Sequence, residues 1–169
     1  MLMTTRSGWT TLPTESPQRR VAEGICRFED DTRFGSMGSR SQHISICIDR
    51  PVTEVYDVAA DPLNLPKWAA GLAGSRVERD GEQWFTDSPM GRVTFTFAPH
   101  NDFGVLDHTV TLPSGERVYN PLRVISDGNG CEVIFTLRQR PGMTDEEFEQ
   151  DADAVAKDLA ALKSLVETK

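Results

Sequence analysis

Positive charge is scarce in this sequence. Eighteen Lys and Arg stand against 26 Asp and Glu, for a net charge of -8 and a pI near 4.9. A surface that tracks phosphates needs clustered cations, so nucleic acid and anionic membrane are excluded as main partners. Long apolar runs are missing as well. None approaches about 18 residues, so no transmembrane helix and no membrane insertion are expected. Cysteine is confined to Cys26, Cys47 and Cys131, an odd number at wide spacing without a CxxC pair. That excludes a disulfide framework, suits a reducing compartment and leads to an expected cytoplasmic location. No GxSxG, P-loop or GxGxxG follows a strand, because Gly35 and Gly38 lie in a segment without one. No cofactor is expected.

What remains is a chain of 169 residues and 18.8 kDa, 38% hydrophobic and 26% charged, the size of one ordinary domain. Its composition is uneven. Residues 1–40 hold four Ile, Leu or Val side chains, and residues 41–169 hold 27. The first segment carries a net charge of +1 and the remainder -9. A stretch so poor in apolar side chains cannot offset its ordering entropy, so residues 1–40 read as a disordered tail and 41–169 as a single domain. Three uses of the tail stay open: an inert extension (or an over-long start, with Met37 as initiator), a targeting peptide, and a partner-binding arm built on Val21, Ile25 and Phe28.

From residue 42 the periodicity is regular. His43 to Asp49 alternates as a half-buried strand, and Val52, Val55, Tyr56 and Ala59 follow at helical spacing behind Pro51. Asp61-Pro62 stops that helix. A second helical piece, Leu63 to Leu72, reads as interrupted by Pro66. Strands are then expected over 76–79, 83–86, 92–98, 104–112, 117–125 and 131–138, divided by turn residues such as Asp80-Gly81, Pro113-Ser114-Gly115 and Asp127-Gly128-Asn129-Gly130. Thr144 and Glu147 form a capping box, with Met143 and Phe148 at the staple positions. Behind it Phe148, Ala152, Val155, Leu159, Leu162 and Val166 make one apolar stripe on a helix of roughly 36 Å. Its acidic face is read as solvated. The order implies an α+β fold: a curved antiparallel sheet of about seven strands wrapped around the long C-terminal helix, with a cavity between them.

The residues Ile46-Cys47-Ile48-Asp49-Arg50-Pro51-Val52-Thr53-Glu54-Val55-Tyr56-Asp57 carry a resemblance, as do Asp61-Pro62 with Trp68. So do Pro141 to Phe148 together with Asp158-Leu159-Ala160-Ala161-Leu162-Lys163. Over about residues 42–167 the chain resembles the START-like, or SRPBCC, superfamily of helix-grip proteins, and is most similar to its polyketide cyclase/dehydrase branch. The resemblance implies the helix-grip fold. It does not select an activity, because members include carriers, cyclases and proteins of unassigned role.

The turn Leu112-Pro113-Ser114-Gly115 fits a type I turn followed by a left-handed glycine, a three-residue hairpin loop. Closing it pairs Leu112 with Glu116, Val110 with Val118, His108 with Asn120 and Leu106 with Leu122. Asp107, Thr109, Thr111, Tyr119 and Arg123 then share the other face. The expected cavity wall is Trp68, Phe95, Phe97, Leu106, Val110, Leu122, Val133, Phe135, Val155 and Leu159, with His108 and Asn120 as its polar pair. No metal is expected, because alternation sends Asp107 and His108 to opposite faces and His100-Asn101-Asp102 lies in a turn. Three functions stay open. One is binding or carriage of a small hydrophobic molecule. Another is a cyclase or dehydratase-like enzyme, with His108 as general acid/base and Asn120 steadying an oxyanion. The third is a protein-interaction role, such as a chaperone-activator-like partner surface.

Overall fold

The computed structural model describes residues 40–81, 83–88 and 91–168. The expected tail thus lies outside the described residues, except for Arg40. Composition placed Arg40 with the tail, yet it packs on the domain. Its guanidinium stacks 4.5 Å from the Phe148 ring centroid, and it pairs with Glu149 and Asp145.

The first strand, β1 (Ser41–Ile48), leads to α1 (Val52–Ala60), which buries Val55, Tyr56 and Ala59. Pro51 is the residue before α1 rather than part of its first turn. The piece from Leu63 to Leu72 is not one helix. A 3-10 turn at Pro62–Asn64 leads into α2 (Leu65–Trp68), and a second 3-10 turn follows at Ala70–Leu72. Pro66 does not interrupt anything here. It lies in the first turn of α2, where a missing N–H leaves no bond unmade.

Seven further strands follow: β2 (Val77–Asp80), β3 (Gln83–Ser88), β4 (Gly91–Phe97), β5 (His108–Thr111), β6 (Arg117–Asn120), β7 (Leu122–Asp127) and β8 (Gly130–Arg138). The chain closes with α3 (Asp145–Glu167). All pairings are antiparallel, in a five-stranded sheet ordered β2-β3-β4-β5-β6 and a three-stranded sheet ordered β1-β8-β7. The sequence suggested about seven strands in one sheet, with a single strand over 117–125. The difference arises at Pro121, which has no N–H to place in a ladder.

The register nevertheless continues across the break. Val105 bridges to Arg123, the Leu106 N–H donates to the Leu122 carbonyl at 2.9 Å, and the Val124 N–H donates to the Gly104 carbonyl at 2.9 Å. Gly104 makes this approach possible. Its φ is +69°, and a Cβ built there would lie 1.9 Å from the Val124 carbonyl oxygen. At the hairpin, the Leu112 N–H donates to the Glu116 carbonyl at 2.9 Å and Gly115 has φ +86°, the geometry the turn residues specify.

The Thr144–Glu147 capping box starts α3 with both reciprocal bonds made. Phe148, Ala152, Leu159, Leu162 and Val166 are buried against the sheet, while Val155 is only half-buried. Each fully buried Leu or Phe of this stripe contributes about 1.5–3 kcal/mol. The far end of α3 is tied to β1 and the residue after it: Lys163 Nζ donates to the Cys47 carbonyl at 2.7 Å, and the Asp49 N–H donates to Glu167 Oε1 at 2.9 Å.

Candidate functional site

Alternation along a strand sends every second side chain to one face. On β4 that rule selects Val93, Phe95 and Phe97, and on β5 with its following residue it selects His108, Val110 and Leu112. Asn120 of β6, Leu122 of β7 and Phe135 of β8 complete a concave wall. These nine side chains line a cavity of about 330 Å3. The opposite wall is built by Leu65, Trp68, Ala69, Gly71 and Leu72 around α2, with Val155, Asp158 and Leu159 on α3. Val155 is half-buried because it fronts this space rather than packed sheet.

Ten of the twelve side chains expected in the cavity wall, the polar pair included, therefore line one space. The exceptions are Leu106 and Val133, which are buried in the core instead, at 3% and 0% exposure. Each precedes a lining residue by two positions, Leu106 before His108 and Val133 before Phe135.

His108 and Asn120 are Cα partners across β5 and β6. His108 Nδ1 lies 3.1 Å from the Leu106 carbonyl oxygen. A carbonyl only accepts, so Nδ1 carries the proton and donates. Nε2 is left as an acceptor, with Asn120 Nδ2 donating to it from 3.4 Å. The ring is held by Phe97, whose centroid is 5.1 Å away at a 34° tilt, and by Phe135 at 6.5 Å. Burial pushes the His108 pKa down, and the Leu106 hydrogen bond offsets this in part. The imidazole is held toward its neutral form.

Asp158 is the functional candidate that sequence reasoning missed. One carboxylate oxygen, Oδ1, accepts from the Ala70 N–H at 2.8 Å and ties the second 3-10 turn to α3. Burial raises its pKa, and the Ala70 hydrogen bond works in the opposite direction. It is the single Asp, Glu, Lys or Arg among the lining residues. Trp68 adds a further polar atom: its indole Nε1 is buried without a hydrogen-bond partner among the described residues.

Other chemistry-bearing residues do not converge. Asp107 lies on the outer face, bonded to the Tyr119 hydroxyl, paired with Arg123 and accepting from the Leu122 N–H. His100 sits 3.6 Å from Asp57, and Asn101 Oδ1 accepts from the Phe103 and Val105 N–H groups in a turn. Among the described residues no group of three or more His, Cys, Asp or Glu could hold a metal ion, and no helix is long and apolar enough to cross a membrane.

A curved antiparallel sheet gripping a long C-terminal helix around a cavity defines the helix-grip class of α+β proteins. Residues 41–167 match the family model for polyketide cyclase/dehydrase and lipid transport, and the chain belongs to that family. Solved structures agree at the level of the fold. Ara h 8.0201 is similar with a TM-score of 0.60 at 13% identity, over 78% of this chain and 100% of that one. An uncharacterized protein of Bacillus thuringiensis has a TM-score of 0.58 at 15% identity, over 76% of this chain and 99% of its own. CalU16 from Micromonospora echinospora has a TM-score of 0.55 at 14% identity, over 76% of this chain and 74% of that one. No curated protein matches the sequence.

Proposed function

We propose that the domain binds and carries a small hydrophobic molecule in the cavity between the concave sheet and α3. The observation that carries this reading is the lining itself: 14 of its 17 residues are apolar or Gly, leaving His108, Asn120 and Asp158 to orient what enters. A largely apolar space with a few placed polar groups is the usual form of a small-molecule site, and 330 Å3 is at the small end of the range of about 300–1,000 Å3. Family membership, which includes lipid transport, supports the same class of ligand. The body's net charge of -9 argues against a nucleic-acid role. The free thiols of Cys47 and Cys131 fit a reducing compartment, the cytoplasm. The test is native mass spectrometry of the protein purified from its own source. A co-purifying small molecule, lost on Val110→Trp, is expected. Its absence, together with no binding of apolar ligands, would overturn the reading.

A second reading, a cyclase or dehydratase-like enzyme, is favoured by one observation: two titratable groups, His108 and Asp158, line the same cavity. His108 Nε2 would take or give the proton while the Asn120 amide held a developing oxyanion. The two readings separate on His108→Gln. A carrier loses one neutral hydrogen bond, about fivefold in affinity. An enzyme loses about 10²-fold or more in turnover.

A further inference from the structure

The cavity's charge is one-sided. Asp158 contributes a carboxylate, and among the described residues no Lys or Arg lines the space to balance it. His108, the other titratable residue there, has both ring nitrogens engaged: Nδ1 donates to the Leu106 carbonyl and Nε2 accepts from the Asn120 amide, so it offers an anion no charged donor. Asp158 commits only Oδ1, to the Ala70 N–H, and its second oxygen has no partner among the described residues. The uncommitted acceptor that the ligand meets is therefore the second Asp158 oxygen, on the α3 wall. An anion would be buried beside a carboxylate without a counter-ion, which is unfavourable.

Resting on the carrier reading above, we propose that the cavity selects a compact, largely apolar ligand that presents an O–H or N–H donor to Asp158, and that it rejects carboxylates. Fatty-acid-like and other anionic ligands are excluded on the same ground. Asp158 thus sets specificity, while the apolar wall supplies affinity from burial.

Naphthalene, naphthol and naphthoate test this, because they share one apolar body and differ in one group. Binding of each to the full-length chain is measured by ligand-observed NMR near neutral pH, where naphthol is uncharged. Naphthol is expected to bind about tenfold tighter than naphthalene, the usual advantage of a hydrogen bond to a charged acceptor. Naphthoate is expected to bind weakest. In Asp158→Asn the amide oxygen still accepts from Ala70, so the turn stays tied to α3. There the naphthol advantage should shrink and naphthoate should approach naphthalene. Equal affinities for naphthol and naphthalene, or a preference unchanged in Asp158→Asn, would overturn the proposal and leave the carrier reading intact. If none of the three binds, or if all three bind equally to Val110→Trp, the carrier reading falls as well.

Discussion

The Leu122 N–H donates to Asp107 Oδ1 at 3.0 Å, so a carboxylate takes the place of a strand neighbour beside the position where Pro121 interrupts the ladder. The same side chain accepts from the Tyr119 hydroxyl and pairs with Arg123 on the outer face of the sheet. One residue thus braces the junction between the two sheets.

Asp107→Ala leaves a buried N–H without an acceptor and should lower stability by about 1–3 kcal/mol, read as a lower midpoint in urea unfolding. Asp107→Asn keeps an accepting oxygen and should lose less. Equal losses for the two would mean that the bond to Leu122 is not what matters.

Gly104 and Gly115 both have positive φ, but only Gly104 faces a backbone oxygen within reach of a Cβ. Gly115→Ala should cost about 1–2 kcal/mol, the left-handed penalty alone. Gly104→Ala adds the collision with the Val124 carbonyl, so its unfolding midpoint should fall well below that of Gly115→Ala. Similar midpoints would argue against the close approach.

For His108 burial lowers the pKa below its ordinary value of 6.5. The unfolded chain then binds more protons than the folded one near that pH, so stability rises with pH. Its contribution should be fully present above about 6.5 and decline as pH falls from there toward the lower folded value. Thermal midpoints measured on either side of 6.5 should differ more in the wild type than in His108→Gln. Asp158 acts with the opposite sign, because its raised pKa favours the folded state as pH falls toward its ordinary value of 3.8. The two effects therefore oppose each other in their dependence on pH.

Thr144 caps α3 by accepting from the Glu147 N–H at 3.2 Å, while Glu147 Oε2 accepts from the Thr144 N–H at 2.8 Å. Thr144→Ala should cost about 1 kcal/mol, measured as a fall in thermal midpoint. The Thr144 N–H holds the Glu147 carboxyl below its ordinary 4.5. That part of the stability is present above 4.5 and is lost as pH falls below it. A midpoint unchanged by Thr144→Ala at neutral pH would show that packing of the α3 stripe alone holds the helix.

The register of β5 and β6 could be read from the sequence because a four-residue turn determines it: with Gly115 left-handed, Leu112 must meet Glu116 and His108 must meet Asn120. The α3 stripe was legible for a similar reason, since its spacing has only one helical solution. The break at Pro121 was not legible. Asn120 and Leu122 keep the same facing parity on either side of it, so alternation passes through an interruption of the ladder without a sign. Asp158 was hidden by the narrowness of the stripe considered. It lies three residues after Val155 and four before Leu162, on the flank of the apolar seam, and a carboxylate there looks like the edge of the solvated face. The contribution of α2 and its flanking turns was legible at Trp68 only. Segments of three or four residues carry no periodicity, and their placement comes from tertiary contacts.

Pro121 follows Asn120 directly in the chain, and Asp107 directly precedes His108. The brace on the convex side and the polar pair on the concave side thus occupy neighbouring rungs, with side chains alternating through the sheet. A backbone shift at Asp107 is therefore passed directly to His108, from the face of the sheet opposite the cavity. Natural variation at Asp107, Tyr119 or Arg123 would retune the pocket while leaving every wall residue unchanged.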